Sequence, residues 1–464
     1  MARTPEQNNA IITGSIPRQL LLFFFPIWLG TMFQQLYNTV DTLIVGNFVG
    51  TQALAAVGAT SSFVQLLVGL FVGLCSGAGV IIAQSFGAGD HDEVNRQVHT
   101  ALALAIAGGA ALTVIGLLIS RPVLRLMQTP DEIVGMASEY LQIYFLGMIP
   151  QMIYNMGTNI LRAVGDSKRP LYFLIVASIV NIVLDIVLVA VIPLGVAGAA
   201  IATVASQVVS AVLTVRCIHG SQGMPWHLQL KNIRIERSVL LAICRIGLPG
   251  AAQSALYSIS NMTIQSAING FGTVAVAAWS VYGKIDFLFW MTVSSFGIAV
   301  TTFAGQNFGA RQYDRMKRCT RVGLGMCLGT IIALSALLFI FRYQLLMFFT
   351  GDAEVVNIGA QFYLVLAPSY FTFVFIEILS GAIRGAGEAL QPMLITCIGV
   401  CGLRVVWILL VVPYWHTMQM VAMNYPVSWV ITAVIFVIYY LRGKWLDRCI
   451  KREHDPQHGT ATEA

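Results

Sequence analysis

The chain has 464 residues, 57% of them hydrophobic and only 10% charged, with a formal net charge of +6. That balance excludes a soluble globular protein and describes a polytopic membrane protein, so the excess of positive charge bears on topology rather than on nucleic-acid affinity. No separate soluble domain is expected, because polar stretches are confined to the two ends, the region around Ser221 to Arg237 and short loops.

Apolar runs long enough to cross a bilayer predict an all-α fold of twelve membrane helices. They fall at residues 20–46, 53–83, 97–119, 136–160, 171–192, 196–217, 239–268, 274–304, 320–341, 358–383, 390–413 and 418–441. The first run does not read as a signal peptide, since it is long, contains Asp41 and lacks a small-residue cleavage pattern. With the N-terminus inside, cytoplasmic segments hold 22 of the 27 Lys and Arg, against Arg121, Arg125 and Arg342 outside. That asymmetry predicts cytoplasmic termini. The eight cysteines contain no C-x-x-C, Cys397 and Cys401 read as packing residues, and the seven histidines show no metal spacing.

Along the first six spans, polar residues stand out against the apolar background. The first carries Pro26, where a missing backbone donor permits a bend, then Gln34, Tyr37 and, one turn after Tyr37, Asp41. The fourth carries Asn155. The fifth holds Asn181 and Asp185, one turn apart on a shared face, and the sixth holds Thr203. A carboxylate near the bilayer centre costs at least roughly 2.5 to 3.5 kcal/mol, so each acid needs a partner or a purpose. The fifth and sixth spans form a tight hairpin through Pro193-Leu194-Gly195, which sets Asp185 and Thr203 at equal depth, and Asp41 lies roughly 9 to 13 Å below the same boundary. Asp41, Asn181, Asp185 and Thr203, with Tyr37 and Asn155 assisting, are thus expected in one layer. Two carboxylates close together in low dielectric cannot both stay ionised cheaply, so the set suits a shared proton or a bound Na⁺. The alternative is a hydrogen-bonded structural cluster.

The second half repeats the first at a constant offset of 222 residues. Asn47 to Ala56 reappears as Asn269 to Ala278, Gln84-Ser-Phe-Gly-Ala88 as Gln306-Asn-Phe-Gly-Ala310, and Arg162-x-x-Gly165 with Pro170 as Arg384-x-x-Gly387 with Pro392. A match held across separate segments marks a duplication. Six spans per copy give two parallel six-helix bundles around a central cavity. The expected organisation is an N-terminal lobe over 1–218, a cytoplasmic linker over 219–238, a C-terminal lobe over 239–442 and a cytoplasmic tail over 443–464. Gly87, Gly165, Gly309 and Gly387 are expected at helix ends where turns need positive φ. The acidic site is not duplicated: Asp41, Asn181 and Asp185 correspond to Thr263, Leu403 and Trp407. Lys284 and Asp286, two apart on the eighth span, do not face each other, so each is expected to pair elsewhere, with Arg404 and Glu377 as candidates. These residues, with Gln34, form either structural salt bridges or part of a substrate cavity.

No G-x-x-x-x-G-K-[ST], H-E-x-x-H or nucleophile-elbow motif is present, which points to an ion gradient rather than ATP, and to a chain that is not an enzyme. The duplicated six-helix repeats, Pro26 and Asp41 in the first span, Asn181-x-x-x-Asp185 in the fifth, Thr203 in the sixth and the paired Arg-x-x-Gly motifs resemble the multidrug and toxic compound extrusion (MATE) family, and within it the prokaryotic DinF-like branch. The resemblance covers essentially the whole chain apart from its tails. It implies a monomeric exporter in a prokaryotic inner membrane, without cofactor, that exchanges small cationic or amphiphilic organic compounds for H⁺ or Na⁺ by alternating access within membrane lipid. Asp41, Asn181, Asp185 and Thr203 would take the cation, Tyr37 and Asn155 would assist, and Pro26 would be the bend. The acid that another branch places in the seventh span is not matched. Competing expectations are a flippase for lipid-linked saccharides and an intramembrane enzyme using Asp41 and Asp185 as an acid–base pair.

Overall fold

Each apolar run becomes a helix in the computed structural model, which describes residues 9–454. The membrane helices are α1 (Ile16–Phe48), α2 (Thr51–Ala88), α3 (His91–Leu126), α4 (Asp131–Leu146 and Met148–Ala163), α5 (Lys168–Asp185, then Ile186–Val191), α6 (Gly195–His219), α7 (Arg237–Asn269), α8 (Thr273–Gly309), α9 (Tyr313–Ile340), α10 (Ala353–Leu366 and Tyr370–Gly385), α11 (Leu390–Leu410) and α12 (Met418–Leu441). Short helices Ala10–Thr13 and Arg342–Met347 and a final helix, α13 (Lys444–His454), complete the described chain. At about 1.5 Å per residue the 38-residue α2 runs well beyond the roughly 30 Å of a hydrocarbon core. Eleven of these segments are long and apolar enough to cross a membrane on their own count. The twelfth, α4, is cut into two 16-residue pieces at Gly147.

The breaks follow the duplication. α4 is interrupted at Gly147, where a Cβ would meet Gln207 Oε1 at 2.5 Å and Val204 Cγ2 at 2.8 Å. Its counterpart, 222 residues on, falls in a 3₁₀ turn, Ala367–Ser369, that contains Pro368. Gly50 and Gly272 start α2 and α8 with φ of 109° and 93°, and Gly165 and Gly387 both take 93°, a region that disfavours a Cβ. The expectation for Gly87 and Gly309 needs correction: these two stay helical, and the left-handed residue comes two positions later, at Gly89 (φ 76°) and Arg311 (φ 57°).

Two further departures from regular helix have no signal in the apolar pattern. α5 turns from α to π geometry at Ile186–Val191, directly after Asp185. α11 contains a π segment at Cys397–Gly402, ending just before Arg404. Such segments are frequent beside functional residues.

The chain divides into two compact units, one of residues 22–251 and the other of residues before Leu22 together with those from Ala252 on. α1 and α7 therefore each contribute to both. Within the first unit, α5 packs along α6 and the second half of α4 packs on α2, α3 and α6. The start of α7 approaches α2 at backbone distance: a Cβ on Gly77 would lie 2.6 Å from the Ile243 carbonyl and 2.7 Å from the Gly247 nitrogen. Small residues at this seam permit the close packing that stabilises helix pairs in lipid. The connector after α6 is tied to α3 rather than free. Asn95 Nδ2 donates to the Pro225 and His227 carbonyls at 3.3 and 3.0 Å, and Arg96 and Arg234 pair with Glu236 at 2.7 and 2.8 Å. In the second unit, Arg315 donates to the carbonyls of Ile11 and Gly14, fixing the segment ahead of α1.

Candidate functional site

Polar groups in the first unit converge where α1, α4 and α5 meet. Asp41, on α1, and Asp185, at the last α-helical position of α5, come within hydrogen-bonding reach of each other. Asp185 and Asn181 are both 0% exposed. Asp41 Oδ1, both Asp185 carboxylate oxygens and both amide atoms of Asn181 lack a hydrogen-bond partner among the described residues. Burying such groups unpaired is costly, so these oxygens are suited to taking up a proton, a cation or water.

Tyr37, one turn before Asp41, lies close to both acids. Two residues not singled out from the sequence join it. Tyr140 is near Asp41 and Asp185, and Tyr144, one turn further along α4, stacks on Tyr140 with ring centroids 6.0 Å apart. The signal for these was available: Tyr140 and Tyr144 share a helix face, as do Thr203 and Gln207 on α6.

Thr203 is 8% exposed and spends its hydroxyl proton on the Ala199 carbonyl, 3.0 Å away, which leaves its oxygen able only to accept or coordinate. No hydrogen bond joins Thr203 or Asn155 to either acid among the described residues, and the Asn155 carbonyl accepts from Asn159 Nδ2 at 2.9 Å. Pro26 is buried within α1, which continues through it as one helix, and Gln34 is exposed further along. The donor set is two carboxylates, an amide oxygen and a hydroxyl. All are hard oxygens, fit for Na⁺ or for holding one proton between two acids.

The second unit holds a different cluster, and the expected ion pairs are not made. Lys284 and Asp286 form no salt bridge with Glu377 or Arg404. Asp286 instead accepts from Tyr370 Oη and from Trp290 Nε1, the latter at 2.8 Å. Tyr282 and Tyr370 share a hydrogen bond of 2.7 Å, so with Tyr370 donating to Asp286, Tyr282 donates to Tyr370. Arg404, 1% exposed, lies with its guanidinium carbon 4.2 Å from the Tyr425 ring centroid and 5.8 Å from that of Trp429. Exposed Lys284 reaches 5.7 Å from the Phe349 ring, and Glu377 fills the notch at Gly297, which has no side chain of its own. Aromatic faces and hydroxyls replace opposite charge as partners here because Tyr and Trp from α8, α10 and α12 fill the space between the charged residues.

Comparison with known proteins gives the family and the fold. The MatE family model matches residues 26–187 and 249–410, one match in each half. The chain is 29% identical over 436 residues to the probable multidrug resistance protein YoeA of Bacillus subtilis, covering 92% of this chain and 94% of that one. It is 24% identical over 440 residues to the probable multidrug resistance protein NorM of Thermotoga maritima, covering 94% of each. A solved MOP superfamily transporter from Pyrococcus furiosus shares the fold, with a TM-score of 0.88 at 23% identity over 97% of this chain and 99% of that one.

Proposed function

The chain belongs to the MatE family and is a multi-pass membrane transporter, not an enzyme, and from this premise we propose that it exports small organic compounds in exchange for H⁺ or Na⁺. The observation that carries the reading is the pair Asp41 and Asp185, whose buried oxygens lack partners. Multidrug resistance proteins among the relatives support small organic compounds as cargo, and cationic or amphiphilic character is what the family resemblance implies for them. The Lys and Arg asymmetry supports an orientation with both termini in the cytoplasm, and the bacterial relatives support the inner membrane of a prokaryote.

In this mechanism the coupling cation enters from outside and takes the place of repulsion between Asp41 and Asp185, with Asn181 and Thr203 as further oxygen ligands and Tyr37 and Asn155 in support. Neutralising the pair lets α1 and α5 close together, and α1 bends at Pro26, where the helix lacks a hydrogen bond. That bend favours the conformation that releases cargo outward; loss of the cation inward resets it. Reciprocity follows, so cargo and cation each weaken the other's binding. The protein acts as a monomer among its lipids, without a cofactor, and the aromatic cluster around Asp286 contributes to cargo binding in the second unit.

The test is reconstitution in liposomes with a pH gradient and a Na⁺ gradient imposed separately, following a fluorescent organic cation. Accumulation driven by one gradient and abolished in Asp41→Asn supports the proposal and names the ion. Transport by Asp41→Asn at the wild-type rate, or transport indifferent to both gradients, overturns it.

A further inference from the structure

At the end of the α5–α6 hairpin that carries the connector, a cleft of 470 Å³ opens between the start of α5, the end of α6 and the connector itself. Its lining includes Arg169, Arg216, Cys217, Ser221, Met224 and Trp226. The donors in this lining outnumber the acceptors. Arg169 is already oriented: its Nε faces Asp166 Oδ2 at 3.2 Å and its Nη1 contacts Cys217 Sγ at 3.5 Å. Among the described residues Asp166 is the one carboxylate tied to this lining, and its other oxygen is held by the backbone amides of Lys168 and Arg169, each at 3.1 Å. Arg216 is exposed and has no counter-ion among the described residues. Trp226 packs edge-on against Phe86, and its indole nitrogen is buried without an acceptor. Ser221 adds a hydroxyl oriented toward the Cys217 carbonyl at 2.8 Å.

We propose that this cleft binds a phosphate group, with Arg216 and Arg169 as its cationic walls and the Trp226 ring as part of its lining. Guanidinium groups match phosphate oxygens in geometry and in charge, and the resulting bonds are about twice as strong as neutral ones. The volume is that of a small-molecule site, larger than a bare anion requires. Two features suit it to a lipid. Met224, in its lining, is 45% exposed, and Tyr172, 57% exposed near the start of α5, is the kind of aromatic side chain enriched at membrane–water interfaces. Basic pockets at that level are suited to anionic headgroups. The shared chemistry is a phosphate ester, and the source is either a lipid headgroup or a soluble phosphate. The inference uses neither Asp41 nor Asp185 and stands apart from the ion-coupling proposal.

The full-length protein, purified in non-ionic detergent and stripped of lipid, is titrated in separate arms with phosphatidylglycerol, with diacylglycerol and with inorganic phosphate. Bound lipid is read by native mass spectrometry and phosphate binding by the shift in melting temperature. One equivalent of phosphatidylglycerol retained over diacylglycerol, with affinity lowered about tenfold in Arg216→Gln and further in the Arg169→Gln/Arg216→Gln pair, supports a headgroup site. Binding of phosphate without retention of lipid supports the site and assigns it to a soluble ester. Equal affinity of wild type and Arg216→Gln for whichever probe binds, or binding of neither probe, overturns it. Because Arg216 is exposed and unpaired, its single variant decides the matter even if the double variant fails to fold.

Discussion

The guanidinium of Arg404 lies over the ring of Tyr425, 4.2 Å from its centroid, and this contact takes the place of a carboxylate partner deep in the second unit. A desolvated cation–π contact is worth about 2 kcal/mol or more. Tyr425→Leu is therefore expected to destabilise the purified protein by about that free energy, read as a lower melting temperature. Arg404→Met removes the buried charge together with its desolvation cost, so its melting temperature is expected to equal or exceed that of the wild type. A large destabilisation in Arg404→Met would show that the guanidinium is held by more than the rings.

The acidic pair makes a stability prediction separate from transport. Two unpaired carboxylates within reach of each other destabilise the fold when both are ionised. Asp185→Asn is expected to insert normally and to melt at or above the wild-type temperature at neutral pH, while export falls to background. Loss of folded protein instead would mean that the pair holds the bundle together.

The seam between α2 and the start of α7 is set by absent side chains. In Gly77→Val the new Cβ meets the Ile243 carbonyl and the Gly247 backbone, neither of which can rotate away. Overpacking of this kind costs about 1 to 3 kcal/mol, to be read as a lower melting temperature in detergent. A variant as stable as the wild type would show that the two helices can separate freely there.

The connector carries a pH dependence of known sign. Hydrogen bonds from Arg96 and Arg234 hold the Glu236 carboxyl below its ordinary value of 4.5. A carboxyl lowered in the folded state contributes stability above 4.5, and that contribution is lost as pH falls through the lower folded value. Because the pairs are solvent-exposed the effect is under about 1 kcal/mol. Limited proteolysis of the connector is expected to quicken modestly in Glu236→Gln at neutral pH, and the difference from wild type is expected to vanish in acid.

Most of the architecture was legible because lipid enforces it. Twelve spans followed from apolar runs, the duplication from a constant offset, and the fold class from both. The break at Gly147 was not legible, since the side chains that leave no room for a Cβ there, Gln207 and Val204, lie on another helix. Nor were the π segments, because inserting a residue into a helix leaves no mark on an apolar sequence. In the site region, acids stand out singly in the chain, so Asp41 and Asp185 could be picked out, whereas Tyr140 and Tyr144 are the kind of residue that fills any membrane bundle. The salt bridges expected of Asp286 and Arg404 failed for a related reason: sequence gives the charges, but which remote rings pack between them is settled by tertiary structure.

The passage of α1 and α7 through both compact units means that severing the connector would not free two self-sufficient halves. A fragment ending before Ser221 would keep the stretch of α1 before Leu22 but lack the unit it packs into, and the complementary fragment would present the start of α7 without the glycines of α2. Co-expressed, the two pieces would each supply what the other is missing.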